Sequence, residues 1–86
     1  MKTFSYVVKD AEGIHARPAG ELVKLVKSFK STVKIGKAGK TAQNASKIFG
    51  VMGLGVKQGE SVDFTIEGED EETAAAEIQK FMETNL

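Results

Sequence analysis

Polar and apolar residues alternate over residues 2–8, placing Phe4, Tyr6 and Val8 on one face. A period of two predicts a half-buried strand. Asp10-Ala11-Glu12-Gly13 is turn chemistry. From Ala16 to about Ser28 the period lengthens: Ala19, Leu22, Val23 and Val26 recur at helical spacing, with Phe29 just beyond. Thr32 to Ile35 alternates again, with Val33 and Ile35 inward. Gly36-Lys37-Ala38-Gly39 predicts a tight turn into a short third strand over Lys40 to Gln43, the pair forming a hairpin. A short helix is expected from about Lys47 to Met52, with Ser46 as N-cap and Gly53 and Gly55 ending it. After the turn at Lys57-Gln58-Gly59-Glu60, residues 61–67 alternate cleanly, with Val62, Phe64 and Ile66 on one face. Gly68 breaks that strand. A last helix carries the stripe Ala75, Ile78, Phe81, Met82 to about Thr84. Glu69, Asp70, Glu71 and Glu72 crowd its start, where carboxylates meet the positive end of the helix dipole.

The predicted order is βαββαβα. Short turns and one buried face per strand favour an α+β fold, a four-stranded antiparallel sheet with three helices on a single face. Eighty-six residues suffice for one compact core, so a single domain over 1–86 is expected. No stretch approaches the ~20 apolar residues that cross a bilayer, and the first residues lack the apolar run of a secretory signal. Cysteine is absent, which excludes disulfides and thiolate metal sites and fits a reducing cytoplasm. Formal net charge is zero, yet the charges are sorted. Between Gly13 and Gly59 lie Arg17 and eight lysines against Glu21 alone, and from Glu60 onward nine carboxylates face Lys80 alone. Such a dipolar chain can be steered onto an acidic partner. Nucleic-acid binding is disfavoured, because the basic half has no interleaved aromatic platforms and an acidic half balances it.

The candidate chemistry lies in Gly13-Ile14-His15-Ala16-Arg17-Pro18-Ala19-Gly20, which holds the chain's one histidine, one proline and one arginine. A helix starting at about Ala16 leaves its first amides without intrahelical partners, an anion site at the positive dipole end. Pro18 suits that first turn, where its missing N–H costs nothing. Arg17 adds a forked cation suited to phosphate. A helix end and a guanidinium favour the neutral, nucleophilic ring of His15 and would stabilise a phosphoryl group attached to it. On these residues alone a surface or capping histidine without chemistry remains open. No carboxylate pair, metal-ligand cluster or Ser/His/Asp set is apparent, so neither a metal, a cofactor nor independent catalysis is expected.

Gly13-Ile14-His15-Ala16-Arg17-Pro18-Ala19 resembles the active-site signature of HPr, the histidine-containing phosphocarrier family of the bacterial phosphoenolpyruvate:sugar phosphotransferase system. A second matching block is Ile48-Phe49-Gly50-Val51-Met52-Gly53-Leu54-Gly55, preceded by Gly39-Lys40, and a third is Gly68-Glu69-Asp70-Glu71 before an Ala-rich helix. The resemblance covers essentially the whole chain. It implies an open-faced β-sandwich with strand order 1-4-2-3. It further implies a cytoplasmic carrier that takes a phosphoryl group from enzyme I on His15 and passes it to enzyme IIA domains for sugar uptake. Arg17, with Ala16, would handle the phosphate, and a monomer is the natural state of such a shuttle. A paralogous carrier of a nitrogen-linked regulatory branch, or a small non-catalytic α/β binding module, are the alternatives.

Ile48, Phe49 and Met52 have two readings. All three fill the core beneath the short helix, or part of the set stays exposed as an apolar docking patch. The resemblance implies the second, with Ala16, Gly20, Lys24 and Lys27 completing the rim around His15. Many HPr proteins of Gram-positive bacteria carry a regulatory serine directly before an Ile-Met or Leu-Phe pair. Here the order is Ser46-Lys47-Ile48-Phe49, so a lysine holds that place unless the match is counted from Gly39-Lys40. Ser46 is therefore a candidate both for helix capping and for phosphorylation by an HPr kinase/phosphorylase.

Overall fold

A computed structural model describes residues 1–86. The elements are β1 (Lys2–Val7), α1 (Ala16–Lys27), β2 (Thr32–Lys37), β3 (Gln43–Asn44), α2 (Ile48–Gly53), β4 (Ser61–Glu67) and α3 (Glu71–Asn85). The strands form one antiparallel sheet in the order β1-β4-β2-β3, with Phe4 opposite Phe64 and Ile35 opposite Phe64 on its other side. β4 is central, so its Val62, Phe64 and Ile66 are fully buried on one face while Ser61, Asp63 and Glu67 meet solvent on the other. The helices cover only the apolar face. Ala19, Leu22, Val23 and Val26 of α1 and Ala74, Ile78 and Met82 of α3 close the core over it. The expected βαββαβα order and open-faced architecture are both present.

The differences lie in the small elements. β2 runs on through Gly36 and Lys37, both expected in a turn, because Gly36 and Lys37 pair with Asp63 and Val62 of β4. The third strand is Gln43–Asn44 instead of residues 40–43, and pairs only with Ile35 and Lys34. Lys47, in extended geometry, is the N-cap of α2, and the helix begins at Ile48. Ser46 makes no cap; its hydroxyl donates to Asn44 Oδ1 at 2.6 Å. Gly53 belongs to α2, Leu54 is its C-cap, and Gly55, at φ 61°, turns the chain away. In α3 the fully buried alanine is Ala74; Ala75 and Phe81 are half-buried on the flank.

Asp70 ties the start of α3 to the turn after α1. Its carboxylate accepts from the Ser31 hydroxyl, from the Lys30 amide at 2.9 Å and from the Ser31 amide at 2.9 Å. The Ser31 hydroxyl first, then the Lys30 amide, hold this carboxyl below the usual range. A folded-state pKa below the unfolded one stabilises the protein above the unfolded value, and that stabilisation is lost as pH falls through the folded value. Asp70→Ala is therefore expected to lower the urea midpoint at pH 7. The gap from the parent protein should narrow as pH falls below about 4, the ordinary carboxyl range. Urea titrations followed by circular dichroism from pH 7 to pH 2 check this; a gap independent of pH contradicts it.

Candidate functional site

The loop that delivers His15 is held by backbone contacts to a distant segment. Ile14 donates its amide to Val56 O at 3.0 Å, and its side chain is buried. Gly13 stands at φ 69°, and a Cβ built there would lie 2.1 Å from Val56 O. Only glycine combines that dihedral with that closeness. Asp10 shapes the preceding turn: its Oδ1 accepts the Glu12 amide at 2.8 Å, and its carbonyl accepts the Gly13 amide at 2.9 Å. From the far side, the Lys9 and Asp10 amides both donate to Leu86 O, at 2.6 and 2.9 Å.

His15 is the N-cap of α1, extended at φ −102° and ψ 179°. Its carbonyl accepts the Ala19 amide at 3.0 Å, the first bond of the helix. Neither a backbone carbonyl nor a capping side chain engages the Ala16 and Arg17 amides, and Pro18 at the third helical position has none to offer. The imidazole is about one-third exposed. It borders an open cleft of about 230 Å³ together with Asp10, Arg17, Pro18, Glu21 and Asn85. The helix end, Arg17 and the solvent-reachable ring thus share one small volume.

The charges around the ring differ from the sequence expectation, which counted only the helix end and Arg17. Asp10 Oδ2 lies 3.8 Å from His15 Nε2, and Glu12 Oε2 lies 3.5 Å from Nδ1. Arg17 is 88% exposed, and its Nε lies 3.9 Å from Glu21 Oε1 one turn along the helix. Turn chemistry marks Asp10 and Glu12 in the sequence, but only the folded path of the loop shows that they flank the imidazole. Asn85 and Val56 carried no sequence signal, since tertiary packing alone brings them to the site.

The residues of the second expected surface lie on α1 and α2. α1 packs on α2, where a Cβ built at Gly20 would lie 3.8 Å from Ile48 Cδ1. Ile48 is half-buried against the core, while Phe49 is 87% exposed and Met52 38% exposed. Val51, buried below them, takes the core role that the sequence left open to all three. Ala16, Lys24 and Lys27 are exposed on α1, and neither lysine forms an ion pair.

Residues 2–84 match the family model described as the PTS HPr component phosphorylation site. The chain belongs to the HPr family. It is 38% identical over 85 residues to the phosphocarrier protein HPr of Mycoplasma genitalium, covering 99% of this chain and 97% of that one. With HPr of Lysinibacillus sphaericus it shares 46% identity over 74 residues, 86% of this chain and 83% of the other. The fold superposes on the crystal structure of HPr-C-His from Thermoanaerobacter tengcongensis with a TM-score of 0.91 and 38% identity, over 98% of this chain and 93% of that one. As a member of the HPr family the chain is a phosphocarrier of the phosphotransferase system. No helix is long and apolar enough to cross a membrane.

Gly13→Ala tests the geometry of the loop. The added methyl meets backbone, which cannot yield as a flexible side chain can, and the left-handed dihedral adds strain. A loss of more than about 1 kcal/mol of stability is expected, with protection of the Ile14 amide from hydrogen exchange falling alongside it. A variant as stable as the parent contradicts the close approach.

Proposed function

We propose that His15 is the residue that carries the phosphoryl group, received from enzyme I and passed to enzyme IIA domains. The observation that carries this reading is the position of the ring. A partly exposed imidazole caps a helix whose first amides, at Ala16 and Arg17, are free, and Arg17 and Pro18 of that first turn line the same cleft as the ring. A phosphoryl group on that ring would meet the positive helix end. The Arg17 guanidinium, held only loosely by Glu21, is free to swing toward it. Transfer by in-line displacement needs position and charge compensation more than acid–base machinery, which fits a carrier without independent catalysis. The phosphohistidine is then the one covalent intermediate, and no cofactor enters the reading.

Gly20, Lys24, Lys27, Ile48, Phe49 and Met52 form the partner surface in this reading. An exposed phenylalanine beside a methionine suits an adaptable apolar groove, and the unpaired lysines suit an acidic rim. Ser46 is the candidate regulatory site for an HPr kinase/phosphorylase. It lies immediately before the α2 cap, where an added phosphate would place charge beside the apolar patch. The carrier works as a cytoplasmic monomer, a single domain over 1–86. Service to a sugar-uptake branch is preferred to a regulatory one by the overall match.

Incubation with phosphoenolpyruvate, magnesium and enzyme I tests the proposal. The parent protein should gain one acid-labile phosphoryl group, followed by intact-mass measurement at alkaline pH, and His15→Ala should gain none. Phe49→Asp should fold normally yet be phosphorylated at least about tenfold more slowly, the scale of losing one buried anchor in an interface. Labelling of His15→Ala overturns the assignment of the site. Unchanged kinetics in folded Phe49→Asp overturns the assignment of the surface.

A further inference from the structure

The two carboxylates beside the imidazole differ in how firmly they are held. Asp10 faces Nε2 at 3.8 Å and is fixed at both ends of its residue: its Oδ1 accepts the Glu12 amide, and its own amide donates to Leu86 O. Glu12 faces Nδ1 at 3.5 Å from a side chain that is 74% exposed, with no other bond to hold it. The remaining charged groups on the cleft are Arg17 and Glu21 of α1, of opposite sign and 3.9 Å apart; α3 contributes only the neutral Asn85. Lys9, next to Asp10, is exposed.

This inference rests on His15 as the carrier residue. In the loading step a lone pair on one ring nitrogen forms the N–P bond, while the bond from phosphorus to the donor breaks and its electron pair leaves with the donor. The other ring nitrogen keeps its proton. In the unloading step the acceptor's nucleophile bonds to phosphorus, the N–P bond breaks and its electron pair returns to the ring. The ring departs as neutral imidazole only while the far nitrogen still holds its proton. Without that proton the leaving group is imidazolate, a much poorer one. A phosphoryl dianion also needs the carboxylate on its own side to yield, and Glu12 can swing away where Asp10 cannot.

We propose that Asp10 is a positioning residue whose carboxylate, 3.8 Å from Nε2, favours the proton on that nitrogen of phosphorylated His15, while Glu12, on the other side of the ring, gives way to the phosphoryl group. The carrier then releases phosphate from a good leaving group at cytoplasmic pH, although its helix end and Arg17 favour the bound anion. Asp10 acts through the ring and does not touch the transferred group.

The test is the pH profile of phosphoryl loss from the isolated phosphoprotein and of transfer to an enzyme IIA domain. A unit charge at about 4 Å, screened as in water, changes proton affinity about fivefold. Asp10→Asn should therefore move the midpoint of both profiles to lower pH and slow transfer at neutral pH, while Glu12→Gln, whose side chain has swung away from the loaded ring, should move the midpoint by less. Asparagine keeps the oxygen that accepts the Glu12 amide. Should Asp10→Asn lose the fold, Asp10→Ser, which offers a hydroxyl to the same amide, carries the test. A folded, phosphorylated Asp10 variant with the parent's midpoint overturns the inference, as does a downward shift confined to Glu12→Gln. Failure of the parent protein to accept phosphate on His15 is a different result and removes the site assignment itself.

Discussion

The site depends on the approach of the Gly13–Ile14 backbone to Val56. The segment after α2 supplies the acceptor, Gly13 supplies the dihedral and the missing side chain, and Ile14 buries itself to lock the contact. Everything the imidazole can do follows from where that contact leaves it. One residue later the chain enters α1, so His15 has no choice but to cap the helix, with unpaired amides just beyond it. The same contact links the two surfaces of the molecule: Val56 follows α2, and α2 carries the exposed Phe49. The ring and the exposed Phe49 are thereby joined through one short segment.

A carrier has to bind an anion well enough to accept it and weakly enough to release it. With His15 as the proposed carrier residue, opposing partial effects around the ring would meet this. The helix end is a fixed positive pole, Arg17 is a cation on a free side chain, and Asp10 and Glu12 are anions within 4 Å of the ring. None of these groups is deeply buried, so no single charge dominates, and solvent moderates each one. Such balance suits repeated loading and unloading better than a closed, strongly charged pocket would.

Much of this was legible in the sequence, for physical reasons. Long elements announce themselves by period: the stripe of Ala19, Leu22, Val23 and Val26 and the alternation of Val62, Phe64 and Ile66 reappear as buried faces. The short elements were less legible because their limits are set by pairing. Gly36 and Lys37 look like a turn until β4 offers them partners, and the two-residue β3 exists only because β2 lies beside it. Ser46 has the composition of an N-cap, yet Asn44 claims its hydroxyl first. At the candidate site, the motif singled out His15 and Arg17 as candidates at once. The carboxylates around the ring were visible as letters, but their meaning required the loop's path. The Arg17–Glu21 pair follows from their spacing of four in the expected helix, although the sequence expectation assigns Arg17 to the phosphate alone.

The central claim is that the first amides of α1 face the group that His15 bears. Amide resonances of the protein before and after phosphorylation, recorded by ¹H–¹⁵N NMR, address it most directly. The account predicts large downfield shifts confined to Ala16 and Arg17, with phosphorus coupled to an imidazole nitrogen of His15. Phosphorylation that leaves those two amides where they were, or that moves a different helix end instead, would contradict it.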